Sequence, residues 1–239
     1  MNSTTSATAA PRRNDRRFYT VMAVLIALIV FAGFAPSFYL RPLFESRQLT
    51  GLLIVHGILF SAWITLLVVQ VRLVAAKRTD IHRKLGVAGG LLAAAMVVVG
   101  VLAAIYSAKR GFSPQGAPPP LSFMLISMTD MIVFPALVGT ALAFRRRTDV
   151  HKRLMLVATL SITVPALARI PFVSPFGLPA FFGLADLLIV GSMVYDRARN
   201  GRFHPAYVWG LVFVVVSQVL RIALAGSPGW LAIAGWLTQ

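Results

Sequence analysis

Seven long apolar stretches constrain what this chain can fold into. Each has about the 20 mostly apolar residues that an α-helix needs to cross a bilayer. They are Phe18–Leu40, Leu49–Val71, Leu85–Ala108, Leu121–Phe144, Leu154–Phe172, Pro179–Tyr195 and Ala206–Gly226. Only 13% of the 239 residues are charged, about half the share of a soluble domain. The sequence therefore predicts an all-α fold, a polytopic bundle of seven transmembrane helices.

The apolar stretches divide the chain into three parts. We predict a disordered basic N-terminal tail over 1–17, a seven-helix transmembrane domain over 18–226 and an interfacial segment over 227–239. The first apolar stretch is too long for the core of a signal peptide, which favours a retained helix. Trp230 and Trp236 in the last segment are typical of the headgroup level of a membrane.

The basic residues indicate the orientation of the helices. Of the 23 lysines and arginines, sixteen fall on one side of the predicted bundle and four on the other. Because positive loops stay in the cytoplasm, the N-terminus is predicted to be cytoplasmic and the C-terminus external. The same placement makes the bilayer and its anionic headgroups the expected partners, and it argues against nucleic acid despite the net charge of +16. We expect a multi-pass protein of a bacterial inner membrane.

Two cytoplasmic turns repeat nearly the same text. Residues 78–85 read RTDIHRKL and residues 147–154 read RTDVHKRL, and a third histidine precedes the last helix. The repeat predicts one leading helix followed by three hairpins. His82, His151 and His204 are either polar residues at the membrane surface or ligands for a metal or haem, since imidazole suits both, or parts of a proton relay.

Polar side chains inside the spans indicate a second candidate site. By helix rise, the charged ones lie roughly 5–13 Å below the outer surface. The set is His56, Asp130, Arg169, Asp186, Gln218 and Arg221. One interpretation is a structural network in which the two acids pair with the two arginines. The other is a pocket, open to the outside, in which the arginines bind an anionic group and the imidazole and carboxylates handle protons.

These motifs resemble an uncharacterised bacterial family of seven-helix membrane proteins. The resemblance rests on His82 to Gly86 (HRKLG), His151 to Met155 (HKRLM), the tract 55–63 (VHGILFSAW), His204-Pro205, and a last helix with Gln218 and Arg221. The family has no assigned activity, so the resemblance implies the fold alone. A looser similarity is to transmembrane b-type cytochromes, although His56 has no second histidine at its depth.

The sequence ranks three functions without assigning a catalytic residue or a cofactor. Binding or transport of a small molecule or ion through the outer polar cluster comes first. A redox protein with haem b at the cytoplasmic face is the alternative, and an accessory or assembly subunit is the third. The chain has no cysteine, which excludes disulfides and thiolate ligands. It also has no phosphate-binding loop, no Ser–His–Asp spacing and no two-carboxylate hydrolase pattern, so the sequence assigns no enzyme class.

Overall fold

The protein is a multi-pass membrane protein built from helices. The computed structural model describes residues 13–44, 48–114 and 116–239, and this part of the chain contains no strand. Nine α-helices follow one another along it. They are α1 (Arg13–Phe34), α2 (Gly51–Ala75), α3 (Thr79–Lys109), α4 (Pro120–Ala143), α5 (Thr148–Ser161), α6 (Val164–Leu167), α7 (Gly177–Asn200), α8 (Pro205–Leu224) and α9 (Pro228–Leu237). Seven segments are long and apolar enough to cross a membrane, as predicted.

Several helices extend beyond their apolar stretches. Helix α3 begins at Thr79 rather than Leu85, and α1 begins at Arg13 rather than Phe18. Residues 13–17 are therefore helical, and their assignment to a disordered tail was wrong; residues 1–12 of that tail lie outside the described part. Polar residues continue a helix readily, and Asp15 in the first turn of α1 complements the positive end of the helix dipole.

The fifth span is broken, where the sequence predicted one helix over 154–172. Helix α5 ends at Ser161, and the short α6 begins at Val164. Pro165 has no N–H to donate to the carbonyl of Ser161, so the regular ladder stops. The Thr163 hydroxyl instead donates to the Leu160 carbonyl at 2.7 Å.

The first span ends in a widened turn. After α1, residues Ala35–Tyr39 form a single π-helical turn, closed by a hydrogen bond of 2.8 Å from the Leu40 amide to the Ala35 carbonyl. Pro36 in this turn lacks the N–H that an α-helix would need there. The last turn of α1, just before this π turn, packs closely on α6, because a Cβ on Gly33 would lie 2.2 Å from the Ala166 carbonyl oxygen.

The C-terminal segment folds back on the bundle. The indole N–H of Trp230 donates to the Leu121 carbonyl at 2.8 Å, and Ala234 is fully buried in a cluster with Ala104 and Met124. Helix α9 thus covers the ends of α3 and α4 that we predict to be external. Its position at the membrane surface stays a prediction.

Candidate functional site

Asp130 and Arg221 form an ion pair in the interior of the bundle. Nη1 of Arg221 on α8 donates to Oδ1 of Asp130 on α4 at 2.5 Å. Both residues are buried, with exposed fractions of 4% for Arg221 and 8% for Asp130. The guanidinium also donates to the Ser217 hydroxyl at 3.1 Å and lies over the Phe182 ring. The predicted Asp–Arg pair therefore exists, and its arginine has further partners as well.

Asp186 and Gln218 extend this contact along α8. The Gln218 amide donates to Oδ1 of Asp186 on α7 at 3.0 Å. Since Gln218 precedes Arg221 by three residues on the same helix, the two bonds lie on one face of α8. Together they tie α8 to both α4 and α7, which is what a structural network would do.

Arg169 pairs with neither of the two acids that the structural-network interpretation assigned to the arginines. Its Nη1 donates to the Pro165 carbonyl at 2.6 Å, and its guanidinium carbon lies 4.6 Å from the centre of the Phe34 ring. No described carboxylate lies within ion-pair distance of it. Of the two pairings in the structural-network interpretation, the structure shows one, between Asp130 and Arg221, whereas Asp186 accepts a hydrogen bond from Gln218.

His56 lies on α2, one residue before Gly57, whose backbone packs against the Phe38 ring of the π turn. Its ring stacks on Phe60 with 4.2 Å between the ring centres, and its Nδ1 is buried with no hydrogen-bond partner. A buried ring nitrogen without a partner is unusual, and such atoms concentrate where a ligand or water binds.

The end of the first span completes this region. The Tyr39 hydroxyl and the Ser61 hydroxyl lie 2.7 Å apart, and Ser61 donates to the Gly57 carbonyl at 2.6 Å. These bonds hold the π turn against α2. We call Phe34, Tyr39, His56, Ser61 and Arg169 the Arg169 site: Arg169 lies over Phe34, the residue before the π turn, and the Tyr39–Ser61 bond joins that turn to α2, the helix that carries His56.

Four of the six predicted residues thus lie in the hydrogen-bond network around α8, namely Asp130, Asp186, Gln218 and Arg221. The other two, His56 and Arg169, belong to the Arg169 site. An adjoining pocket that opens outward stays a prediction.

The three histidines that we predict to be cytoplasmic do not gather into one cluster. The rings of His82 and His151 lie 6.4 Å apart between centres, with an angle of 87° between their planes. His204 instead contacts Asp149, with 3.1 Å between Nε2 and Oδ2. Within residues 13–44, 48–114 and 116–239, no group of three or more His, Asp or Glu side chains is placed to hold a metal ion.

His204 also begins α8. Its Nδ1 accepts a hydrogen bond from the Ala206 amide at 3.2 Å, so Nε2 carries the proton that it donates to Asp149. Burial lowers the pKa of His204 below its usual value, and the neighbouring carboxylate of Asp149 offsets only part of that effect. The neutral imidazole is therefore the form that caps this helix.

Sequence reasoning missed a second buried ion pair, near the predicted cytoplasmic side. Nη2 of Arg153 on α5 donates to Oδ1 of Asp196 on α7 at 2.5 Å, and the Asn200 amide donates to the same oxygen at 3.0 Å. Arg153 was counted among the loop residues that set the topology, yet only 4% of it is exposed. The available signal was helical spacing, since Arg153 shares a face with Val157 and Leu160, both fully buried.

Comparison of the sequence with protein-family models, with curated proteins and with solved structures finds no significant match. The family resemblance drawn from the histidine turns therefore stays a prediction.

Proposed function

We propose that this membrane protein binds a small anion at the Arg169 site and exchanges a proton through His56. On this account Arg169 supplies the positive charge that attracts the anion, and the imidazole takes up or releases a proton as the anion binds. The protein would act in a bacterial inner membrane, with the site facing the outer half. Small-molecule or ion transport is the activity that such a site would serve.

The observation that carries the proposal is the unpaired guanidinium of Arg169. A charged side chain inside a membrane costs several kcal/mol unless it is paired or reaches water. Arg221 and Arg153 each contact a carboxylate at 2.5 Å, and Arg169 contacts none among the described residues. Its single carbonyl bond leaves guanidinium N–H groups free to bind a carboxylate or phosphate oxygen.

The backbone around Arg169 also favours a binding site. Single π turns occur often at functional sites, and broken spanning helices surround the substrates of many transporters. Here Arg169 follows α6 by two residues, and its guanidinium lies over Phe34, the residue before the π turn Ala35–Tyr39. Irregular backbone at membrane depth is tolerated where it lines a cavity or is buried in protein.

Anion-dependent thermal stability of the detergent-solubilised protein tests the proposal. The probes are acetate, benzoate and inorganic phosphate, each titrated at one ionic strength. A ligand at a hundred times its Kd adds about 2.7 kcal/mol to stability. We expect a saturable rise in Tm with at least one probe, its loss in Arg169→Gln, and its retention in Arg110→Gln, which removes an exposed cation beyond α3.

Two results would contradict the proposal. One is a wild-type Tm that none of the three probes raises. The other is a rise that survives unchanged in Arg169→Gln. The variant is expected to fold, because removing an unpaired charge strands no partner, and its unliganded Tm should stay within a few degrees of wild type.

A further inference from the structure

We infer that His82 and His151 form a two-coordinate site for a soft monovalent metal ion. Cu(I) is the ion of this kind that cells contain. This site is separate from the Arg169 site and rests on other residues. His82 lies in the first turn of α3 and His151 in the first turn of α5, at matching places of the two repeated turns. Two imidazoles suffice for an ion that accepts linear coordination.

The separation of the two rings fits an ion between them. A bond from a metal to an imidazole nitrogen is about 2.0 Å, and each ring nitrogen lies about 1.1 Å from its ring centre, so linear coordination places the centres about 6.2 Å apart when both ligand nitrogens lie on the line between them. The observed separation is 6.4 Å. Linear coordination sets no angle between the two rings, so the observed 87° is compatible with it.

The hydrogen bonds of the two rings leave nitrogen atoms for a ligand. Nδ1 of His151 lies 2.8 Å from the Ala141 carbonyl oxygen, which can only accept, so this nitrogen carries the proton and Nε2 has a free lone pair. A histidine ligand commonly donates its other N–H to a carbonyl in this way. Nδ1 of His82 is buried and has no hydrogen-bond partner. The Gln70 amide holds the His82 backbone through a bond of 3.1 Å to its carbonyl.

Charge selects the kind of ion. Arg83, Lys84 and Lys152 adjoin the two histidines in sequence, and a monovalent ion is repelled half as strongly as a divalent one.

Competition for Cu(I) tests the site. The full chain, purified in detergent and freed of any affinity tag, is titrated anaerobically against a chromogenic Cu(I) chelator. The chain has no cysteine, so thiolates contribute nothing. We expect one Cu(I) per chain and at least a tenfold loss of affinity in His82→Gln and in His151→Gln. His204→Gln should bind as the wild type does, because His204 pairs with Asp149.

The X-ray absorption spectrum of the loaded wild type supplies a test that needs no variant. It should show two nitrogen donors and no further strong ligand. The inference is overturned if the wild type takes no Cu(I) from the chelator, if the double variant His82→Gln/His151→Gln binds it equally well, or if the spectrum shows sulfur or more than two strong donors. A Soret band that disappears in His82→Gln would overturn it in favour of haem.

Discussion

Arg221 donates to Asp130 across α8 and α4 at 2.5 Å, whereas Arg169 faces the ring of Phe34. The two arginines hold similar places in consecutive predicted hairpins, and yet only one of them meets a carboxylate. We interpret Asp130–Arg221 as an ion pair that joins α4 to α8, and Arg169 as a group that binds an anion. The predictions below separate these two roles and test the fold around them.

The Asp130–Arg221 pair should behave as a buried ion pair in a double-mutant cycle. Asp130→Asn and Arg221→Gln should each destabilise the protein by about 3–5 kcal/mol, because each strands a charge in a dry interior. The double variant should recover much of that loss. Equilibrium unfolding in mixed micelles measures the four free energies.

Arg78 and Asp80 provide the matched control for this cycle. They lie 3.5 Å apart with more than half of each side chain exposed, so their cycle should show no measurable coupling. Additive effects of the Asp130 and Arg221 variants would show that this pair does not stabilise the contact between α4 and α8.

The contact of α1 with α6 should not tolerate a side chain at Gly33. A Cβ there would lie 2.2 Å from the Ala166 carbonyl oxygen, a backbone atom that can move only with its helix. Gly33→Ala should cost about 1–3 kcal/mol through overpacking. Gly191→Ala is the control, since a Cβ on Gly191 meets nothing within 4 Å. Equal Tm values for the two variants would show that α1 and α6 are not in this close contact.

His204 should make stability depend on pH. Its pKa is lowered in the folded protein, so the unfolded chain binds the proton more tightly. The stability that His204 contributes is therefore complete above the unfolded pKa of about 6.5 and is lost as the pH falls through the lower folded pKa. The wild-type Tm should fall between pH 7 and pH 5 by more than that of His204→Asn.

The choice of asparagine distinguishes titration from capping. Asn does not titrate and is a good N-cap, so His204→Asn should match the wild type at pH 8. His204→Ala removes the cap as well and should be less stable than His204→Asn by about 1 kcal/mol at every pH. If the plots of Tm against pH run parallel for the wild type and His204→Asn, protonation of His204 is not coupled to folding.

The predicted orientation can be read with topology reporters. A reporter fused after Phe144 should report the cytoplasm, and one fused after Gln239 should report the outside, because the basic loops collect on the Phe144 side. An external signal after Phe144 would invert the bundle and place the Arg169 site in the inner half.

Much of the fold followed from the sequence because apolar length and the placement of basic residues are local properties. The breaks in the helices were also signalled, by Pro36 and Pro165, although we predicted continuous spans. The pairing of acids with arginines was not predictable in the same way. It depends on the rotation of each helix about its axis, and a rotation of one residue (about 100°) decides whether Asp130 faces Arg169 or Arg221. Arg153 was missed because a basic residue beside a loop resembles a residue that meets lipid headgroups.

Thiol modification at position 56 tests the central claim most directly, because the chain has no cysteine of its own. In intact cells or oriented vesicles, His56→Cys is treated from outside with a negatively charged and a positively charged methanethiosulfonate reagent. Ser192→Cys is the buried control, since Ser192 is 1% exposed and pairs with no charged group in the part of the chain that the structure describes. Phe112→Cys, in the connection after α3, gives the intrinsic ratio of the two rates. An anion site at Arg169 predicts that His56→Cys reacts and that its ratio favours the negative reagent several-fold over Phe112→Cys. Adding Arg169→Gln should abolish that preference, and Ser192→Cys should stay unmodified. A His56→Cys thiol that does not react, or whose ratio is unchanged by Arg169→Gln, would contradict an outward-facing anion site.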